Sequence, residues 1–305
     1  MLKGTYALGL ISVLLTLTAC STRAAVETAT SRPALRISMR TEEILGAFLD
    51  LPQFSIQAVT IGDSEKRLDA LQAGSIDVAT TVADVTYLAF NGGLPDHSLP
   101  RQKIRGIALM NRTVVHLLVG PKVDASRGFR GMRIVLGNPT GGNNALGEHL
   151  VNSMGVPTSA IRGEFAPYDV AVDKLLKGDV DVLIATVRTP QEPIARALRG
   201  GARLMDINGP EVDGLRVHYP LLRRTVLPSG TYPGQDAPLH TVGVDLLLVC
   251  RADLDNEIVY ELTRTLFEDF PQRVRRQIDP QRAPATVIPL HPGAARYYRE
   301  RELSR

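Results

Sequence analysis

The stretches LDALQAGSIDVATT at 68–81 and VDKLLKGDVDVLIAT at 172–186 follow one pattern, and this pattern decides the fold. Each begins with apolar residues at helical spacing, continues through Gly74 or Gly178, and ends in an apolar run that contains Asp-Val. A glycine just past a helix takes the left-handed conformation that ends the helix. The apolar run after it is typical of a strand that a parallel sheet buries on both faces. The two glycines lie 104 residues apart, so the pattern predicts two similar α/β lobes, with two unrelated helix–Gly–strand units as the alternative.

Further stretches complete both halves. Strand-like segments at 54–61 and 163–165 precede the two helices, which gives each half a β–α–β unit. The other strand candidates are 35–39, 104–110, 114–119, 132–136 and 242–249. Helices are predicted at 143–154 and 256–270. Residues 208–239 are rich in Gly and Pro, and we expect a long ordered loop region there.

The composition excludes several classes of protein. The chain has 305 residues, of which 44% are hydrophobic, enough for a sizeable core in about two domains. A net charge of +3 argues against a nucleic-acid binder that relies on bulk basicity and against an acidic disordered chain. Two cysteines build neither a disulfide framework nor a four-cysteine zinc site.

The N-terminal region has the pattern of an exported lipoprotein. The apolar run at 6–17 is too short to span a bilayer and has the length of a signal-peptide core. It ends in LTAC, which resembles a bacterial lipobox whose cysteine, here Cys20, is acylated, for example with palmitate. A chance cysteine after an ordinary signal peptide is the alternative. We therefore expect a lipoprotein signal peptide at 1–19, a flexible tether at 20–32, and attachment to the membrane by the lipid anchor alone.

Polar and glycine residues follow five predicted strands, at the strand ends where open α/β sheets bind ligands. The predicted ligand-binding residues are Arg40, Thr41, Gly62, Asp63, Ser64, Thr81, Asp84, Asn138, Thr140, Gly141, Gly142, Asn143, Thr186 and Arg188. The turn GNPTGGNN at 137–144 points backbone N–H groups at an anion if it opens a helix. It lacks the Lys-Ser/Thr of a phosphate-binding loop, and an ordinary strand-to-helix turn is the alternative.

Two arginines indicate the charge of the ligand. Arg40 and Arg188 each follow a buried strand, one in each half, where a guanidinium needs an anionic partner. A carboxylate held between the lobes would supply that partner. The alternative is that both arginines are solvated or paired with Asp63 or Asp84.

The sequence carries no recognisable signal of catalysis. It has no G-x-S-x-G, C-x-x-C, H-E-x-x-H or EF-hand pattern, and its six histidines form no ligand-spaced pair. We therefore expect no enzyme activity, no metal and no cofactor. His116 and Cys250 both lie inside apolar runs, which indicates a satisfied buried histidine and a buried thiol in a core strand.

Four ordered motifs resemble one family of solute receptors. They are GTYPGQD at 230–236, TVGVDLLLVCRAD at 241–253, VYELT at 259–263, and IPLHPGA at 288–294 followed by Tyr297-Tyr298. Together they look like the TAXI family, the TRAP-associated extracytoplasmic immunogenic proteins, which are receptor subunits of tripartite ATP-independent periplasmic (TRAP) transporters. The resemblance covers most of 35–300.

The resemblance implies an α/β, two-lobed periplasmic-binding-protein fold of type II, in which each lobe is a mixed, mainly parallel sheet flanked by helices. Lobe 1 would comprise 33–119 plus 243–305, and lobe 2 would comprise 120–242. The receptor would hold a small anionic solute, an amino acid or dicarboxylate, and deliver it to TRAP-type permease subunits from the periplasmic face of a bacterial envelope. No nucleic acid is implied. The alternative is a divergent ligand-sensing lipoprotein without a transport partner.

One segment departs from that family. After its first strand the family carries a loop of the form GTGGTYY, whereas this chain has MRTEEI at 39–44. This segment has no glycine, and it contains Arg40. A more acidic ligand is one consequence of this change, and loss of solute binding is the other.

Overall fold

The repeated pattern folds as predicted. In the computed structural model, which describes residue 1 and residues 32–94, 99–126, 128–138, 146–276 and 278–303, both glycines lie just beyond a helix. Gly74 has φ 72° and Gly178 has φ 84°, the left-handed region that suits glycine because it has no Cβ. Leu71 and Leu175, at aligned positions on the two helices, are both buried, which contributes about 1.5–3 kcal/mol for each side chain.

The described residues contain ten strands, ten α-helices and a short 3₁₀-helix at Thr158–Ala160. The strands are β1 Ala34–Ser38, β2 Ser55–Ala58, β3 Val78–Val82, β4 Ile104–Val119, β5 Arg133–Val135, β6 Arg162–Glu164, β7 Val182–Val187, β8 Arg203–Met205, β9 Arg223–Leu227 and β10 Leu239–Arg251. The helices are α1 Glu42–Leu49, α2 Ser64–Gln72, α3 Ala83–Asn91, α4 Leu146–Ser153, α5 Tyr168–Lys177, α6 Glu192–Arg199, α7 Glu211–His218, α8 Asn256–Glu268, α9 Gln272–Arg275 and α10 Pro292–Leu303. None of the helices in the described ranges combines the length and apolar character needed to cross a bilayer.

The strands form two half-sheets of the same order. In the first, β1 lies between β2 and β3, all parallel, and β10 and then β4 follow as antiparallel neighbours. In the second, β5 lies between β6 and β7, again parallel, and β7 is followed by β4 and β8. Helices flank both half-sheets, so the predicted α/β class with mixed sheets flanked by helices is confirmed. The sheets are less parallel than expected, because β10 and β4 pair antiparallel with their neighbours.

One long strand, β4, connects the half-sheets. β4 pairs with β10 along its first part and with β7 along its last part. Val114 marks the change, because it lies opposite Gly243 of β10 and also opposite Val187 of β7. The segments predicted as separate strands at 104–110 and 114–119 are therefore one strand, shared by both halves. The lobe boundaries at 119 and 243 stay a prediction.

The prediction of a long loop at 208–239 is wrong in part. The region contains α7 and β9. Tertiary contacts order both elements: α7 packs against α4, where the rings of His149 and His218 lie 4.0 Å apart, and β9 pairs antiparallel with β10. Four of the five residues of β9 are at least partly exposed, so the segment lacks the apolar pattern by which a strand is recognised.

Candidate functional site

Arg40 lies directly beyond the carboxyl end of β1, as predicted. Its backbone N–H donates to Thr80 Oγ1 at 2.6 Å, which fixes the start of the loop against β3. Its guanidinium extends to the other half-sheet, where Nη2 donates to the carbonyl oxygen of Thr186 at 3.1 Å. The remaining terminal nitrogen, Nη1, is buried and has no hydrogen-bond partner. One donor of a buried cation is therefore available to a ligand.

A second arginine, Arg67, lies beside this position. It is not among the ligand-binding residues predicted from the sequence. It belongs to α2, and only 3% of its surface is exposed. Its Nη2 donates to the carbonyl oxygen of Ile61 at 2.7 Å, and its Nε donates to Ser38 Oγ at 3.3 Å. Its Nη1 is also buried without a partner. The sequence does contain a signal for its burial, because Arg67 lies on the same face of the predicted helix as the buried residues Leu68 and Leu71.

The positive charge of the Arg40 guanidinium acts on that of Arg67. Burial and, to a smaller extent, the positive charge of Arg40 together lower the pKa of Arg67 to about 10, although the charge of Asp63 opposes them. Burial also lowers the pKa of Arg40. Within the described residues, neither side chain forms an ion pair with a carboxylate, since their hydrogen bonds go to carbonyl and hydroxyl oxygens. Two neighbouring buried cations with unsatisfied donors form an anion-binding arrangement.

The second half contributes Thr186 from β7 and Tyr168 from the start of α5. The N–H of Thr186 donates to the Tyr168 hydroxyl at 3.1 Å, while its carbonyl accepts from Arg40. Burial raises the pKa of Tyr168, and hydrogen bonds from the backbone of Thr186 and Asn138, together with the nearby charge of Arg40, lower it. The predicted residues Thr186 and Asn138 therefore lie around one tyrosine that faces Arg40. Tyr168 was not predicted, because a tyrosine at the start of an amphipathic helix carries no distinctive signal.

Arg188 has a protein partner in this structure. Its Nη2 lies 2.6 Å from Glu43 Oε2, and Arg273 approaches the other oxygen of the same carboxylate at 3.6 Å. Arg188 thus joins the segment after β7 to α1 of the first half. The carboxylates named from the sequence as its alternative partners are engaged elsewhere: Asp63 caps α2 through Lys66 N at 2.8 Å, and Asp84 accepts from Leu221 N at 2.7 Å.

The other predicted residues hold the strand ends in place. Thr41 caps α1 by accepting from Ile44 N, Ser64 Oγ accepts from Val82 N, and Thr81 is hydrogen-bonded to Thr86. A Cβ added at Gly62 would meet no heavy atom within 4 Å, so the backbone next to Ile61 borders open space. Thr140, Gly141, Gly142 and Asn143 lie outside the described residues, as does Cys20.

Asp84 is buried at the start of α3. Its Oδ2 has no hydrogen-bond partner, and burial raises its pKa to about 6. The bond from Leu221 N to Oδ1 opposes that shift, and the charge of Asp245 adds to it. The charge of this carboxyl therefore changes within the pH range of about 5 to 8, where many proteins are most stable.

His116 is a structural residue, as predicted. Its Nδ1 lies 3.0 Å from the carbonyl oxygen of Val114, and its Nε2 lies 2.9 Å from the hydroxyl of Tyr232. Burial lowers the pKa of His116 to about 4, so the imidazole is neutral at pH 7. Tyr232 belongs to the GTYPGQD motif, and the motif is therefore anchored to β4. The interpretation of Cys250 as a buried thiol in a core strand is confirmed as well.

Comparison with known proteins gives one family and several solved structures. The model of the NMT1-like family matches residues 45–301. The periplasmic aliphatic sulphonate binding protein SsuA from Escherichia coli is 15% identical, with a TM-score of 0.42 over 88% of this chain and 83% of that chain. PhnD1 from Prochlorococcus marinus, solved with methylphosphonate, is 11% identical, with a TM-score of 0.48 over 78% and 85%. A Xanthomonas citri protein solved with chloride is 13% identical, with a TM-score of 0.46 over 88% and 95%.

Proposed function

The chain belongs to the NMT1-like family, and from that premise we propose that it is an extracytoplasmic solute-binding protein. In this proposal it captures a small carboxylate, an amino acid or a dicarboxylate, in the cleft between its two lobes. The closed form then delivers the solute to a membrane permease. The solute is bound and released without chemical change.

The observation that carries this proposal is the unsatisfied guanidinium of Arg40. Its position at the carboxyl end of β1 is where open α/β sheets bind ligands. Its Nη2 already reaches across to Thr186, so a ligand on Nη1 would lie against both half-sheets. A charge-assisted hydrogen bond to a carboxylate is worth about 1.5–3 kcal/mol, more than a bond between neutral groups.

Closure of the lobes is supported by the shared strand β4. It pairs with β10 in the first half-sheet and with β7 in the second, and domain closure concentrates at a few such crossing segments. We place lobe 1 at 33–119 plus 243–305 and lobe 2 at 120–242. Arg188 then acts from lobe 2 on Glu43 of lobe 1, beside the ligand, which revises the sequence-based idea of two arginines on one carboxylate.

The location and the partner of the protein rest on the sequence motifs. The lipobox that ends at Cys20 supports a lipid anchor on the periplasmic face of the envelope. The motifs that resemble the TAXI family support permease subunits of the TRAP type. A cognate permease gene beside the gene for this chain would agree with a transport role, and its absence would favour a sensor.

A thermal-shift screen tests the binding function directly. Amino acids and dicarboxylates are screened against the purified chain together with uncharged analogues, because a ligand at about 100 times its dissociation constant stabilises a protein by about 2.7 kcal/mol. We expect anions to raise the melting temperature of the wild type and to lose this effect in Arg40→Met. Arg130→Met is the control, since Arg130 is exposed. A response to uncharged analogues alone, or an unchanged response in Arg40→Met, would contradict the proposal.

A further inference from the structure

We propose that the ligand carries two negative charges, which face Arg40 and Arg67 on the same lobe. This inference rests on the proposed function, since it states the charge of the solute held in that cleft. It goes beyond that function because it includes the second guanidinium. A single carboxylate would pair with Arg40 alone, whereas a dianion would pair with both Arg40 and Arg67.

Both guanidiniums are held at one end of β1. Ser38, the last residue of β1, accepts from Arg67 Nε, and Arg40 follows it two positions later. In the sheet, Ser38 lies opposite Ala79, next to Thr80, which accepts from the backbone of Arg40. Each guanidinium therefore uses its other contacts to fix its place, while the same atom, Nη1, stays without a partner.

Another buried arginine, Arg101, also has an Nη1 without a hydrogen-bond partner, but it differs from Arg67 in pairing with carboxylates. Arg101 is buried like Arg67, yet it donates to the carboxylate of Asp69 at 2.6 Å and lies 3.8 Å from Glu65. Arg67 instead donates to a carbonyl and a hydroxyl. Asp63, which raises the pKa of Arg67 by its charge, is committed to the N-terminus of α2 and to Lys66.

Charge balance then decides between a monoanion and a dianion. A monoanion bound at Arg40 leaves the second buried cation with no anion in direct contact, and only the charge of Asp63 acts on it, which is costly at low dielectric. A dianion neutralises both cations and satisfies both Nη1 atoms. The open space beside Gly62, whose neighbour Ile61 accepts from Arg67, gives such a ligand a way to approach.

Matched pairs of ligands test the inference by calorimetry on the full chain. Succinate is compared with its monoamide, and inorganic phosphate with dimethyl phosphate, at a pH of about 8, where inorganic phosphate is mainly the dianion and each pair differs by about one charge. The wild type is expected to prefer the dianion of at least one pair by about tenfold or more. The pair that responds also tells a dicarboxylate site from a phosphate site.

Variants of Arg67 then assign the second charge. Arg67→Gln is expected to lose the preference while it still binds the monoanion, and Arg67→Lys is expected to recover part of the preference. A purely structural role of Arg67 would change the melting temperature and leave the ratio of the two affinities as it is. Arg101→Gln is the matched control: it should lower the melting temperature because it leaves Asp69 unpaired, and keep the affinity ratio of the wild type.

The outcomes separate this inference from the function on which it depends. If no anion binds the wild type, the proposed function is wrong and the dianion with it. If monoanions bind as tightly as dianions, or if Arg67→Gln keeps the preference, only the dianion is wrong. Should Arg67→Gln fail to fold, the ligand pairs on the wild type and on Arg67→Lys still decide the question.

Discussion

Asp77 accepts three hydrogen bonds from Arg36, and the identical arrangement recurs between Asp181 and Arg133 in the other half. In the first pair the donors are the backbone N–H at 2.7 Å, Nε at 3.1 Å and Nη2 at 2.9 Å. In the second pair the same three donors lie at 2.8, 3.1 and 2.7 Å. Each aspartate ties the first strand of its half to the segment that leads into the third. The aspartate that both sequence patterns contain therefore has a structural role, because it holds two strands of its half together.

Asp77→Asn is expected to destabilise the fold by about 2–3 kcal/mol at pH 7, because it weakens a nearly buried charge-assisted contact and leaves Arg36 and Arg251 without their carboxylate. Burial raises the pKa of Asp77, but hydrogen bonds from Arg36 more than offset this and hold the pKa below its ordinary value. The stabilisation is therefore complete above pH 4 and disappears as the pH falls further. Urea denaturation at pH 7 and pH 3 measures it.

Asp181→Asn should show a smaller loss, since the Asp181 side chain is 21% exposed against 6% for Asp77. Asp179→Asn is the control, because Asp179 is exposed. Equal losses of stability in Asp77→Asn and Asp179→Asn would contradict a structural role for Asp77.

Asp84→Asn is expected to stabilise the protein at pH 8. Burial raises the pKa of Asp84 in the folded state to about 6, above its ordinary value of 3.8, so the folded state favours the protonated form. The contribution of Asp84 to stability is thus present below about pH 4 and is lost as the pH rises through 6. An uncharged amide avoids that loss, worth about 2–3 kcal/mol. Melting temperatures between pH 4 and pH 8 test this, and a variant less stable than the wild type at pH 8 would be the opposite result.

Arg188→Met is expected to open the cleft of the ligand-free protein. The contact of Arg188 with Glu43 joins the segment after β7 to α1, which the proposed boundaries place in different lobes. Both side chains are about one-quarter exposed, so its loss costs about 1 kcal/mol or less. Small-angle scattering should show a larger radius of gyration in the variant. Arg216→Met, an exposed change on α7, should leave the radius unchanged. A wild-type radius in Arg188→Met would mean that this contact does not hold the lobes together.

Tyr232→Phe should lower the stability by about 1–3 kcal/mol, because it leaves the buried Nε2 of His116 without its partner. Thermal denaturation measures the loss. Tyr87→Phe removes a hydroxyl from a side chain that is 39% exposed and should be neutral. If the two variants melt alike, the GTYPGQD loop is not anchored through this bond.

Cys20→Ser should release the protein from the membrane fraction or leave it unprocessed. The prediction follows from the lipobox, since two or more acyl chains give a stable anchor. Fractionation and gel mobility measure the outcome. Cys250→Ala is the control, because that thiol is buried in β10 and should not affect anchoring. A Cys20→Ser variant that fractionates and migrates like the wild type would rule out lipidation.

Short-range patterns in the sequence determined the repeated helix–Gly–strand units and most strands of both half-sheets. They succeeded because a left-handed glycine, a helical apolar stripe and a buried strand each leave a local mark on the chain. The same reasoning placed Arg40 at a strand end, since that position follows directly from the end of β1. The motifs that resemble a receptor family predict a role in solute binding, which stays a prediction.

Only the tertiary structure decided which charges meet. Arg188 and Glu43 lie 145 residues apart in the chain, and Arg67 reaches Ser38 across 29 residues, so no local pattern relates them. Likewise, β9 is a strand because β10 lies beside it and satisfies its backbone groups. A charged side chain is assigned to a ligand, a partner or solvent by what the fold places around it, and the electrostatic cost of burial is set by that environment rather than by sequence neighbours.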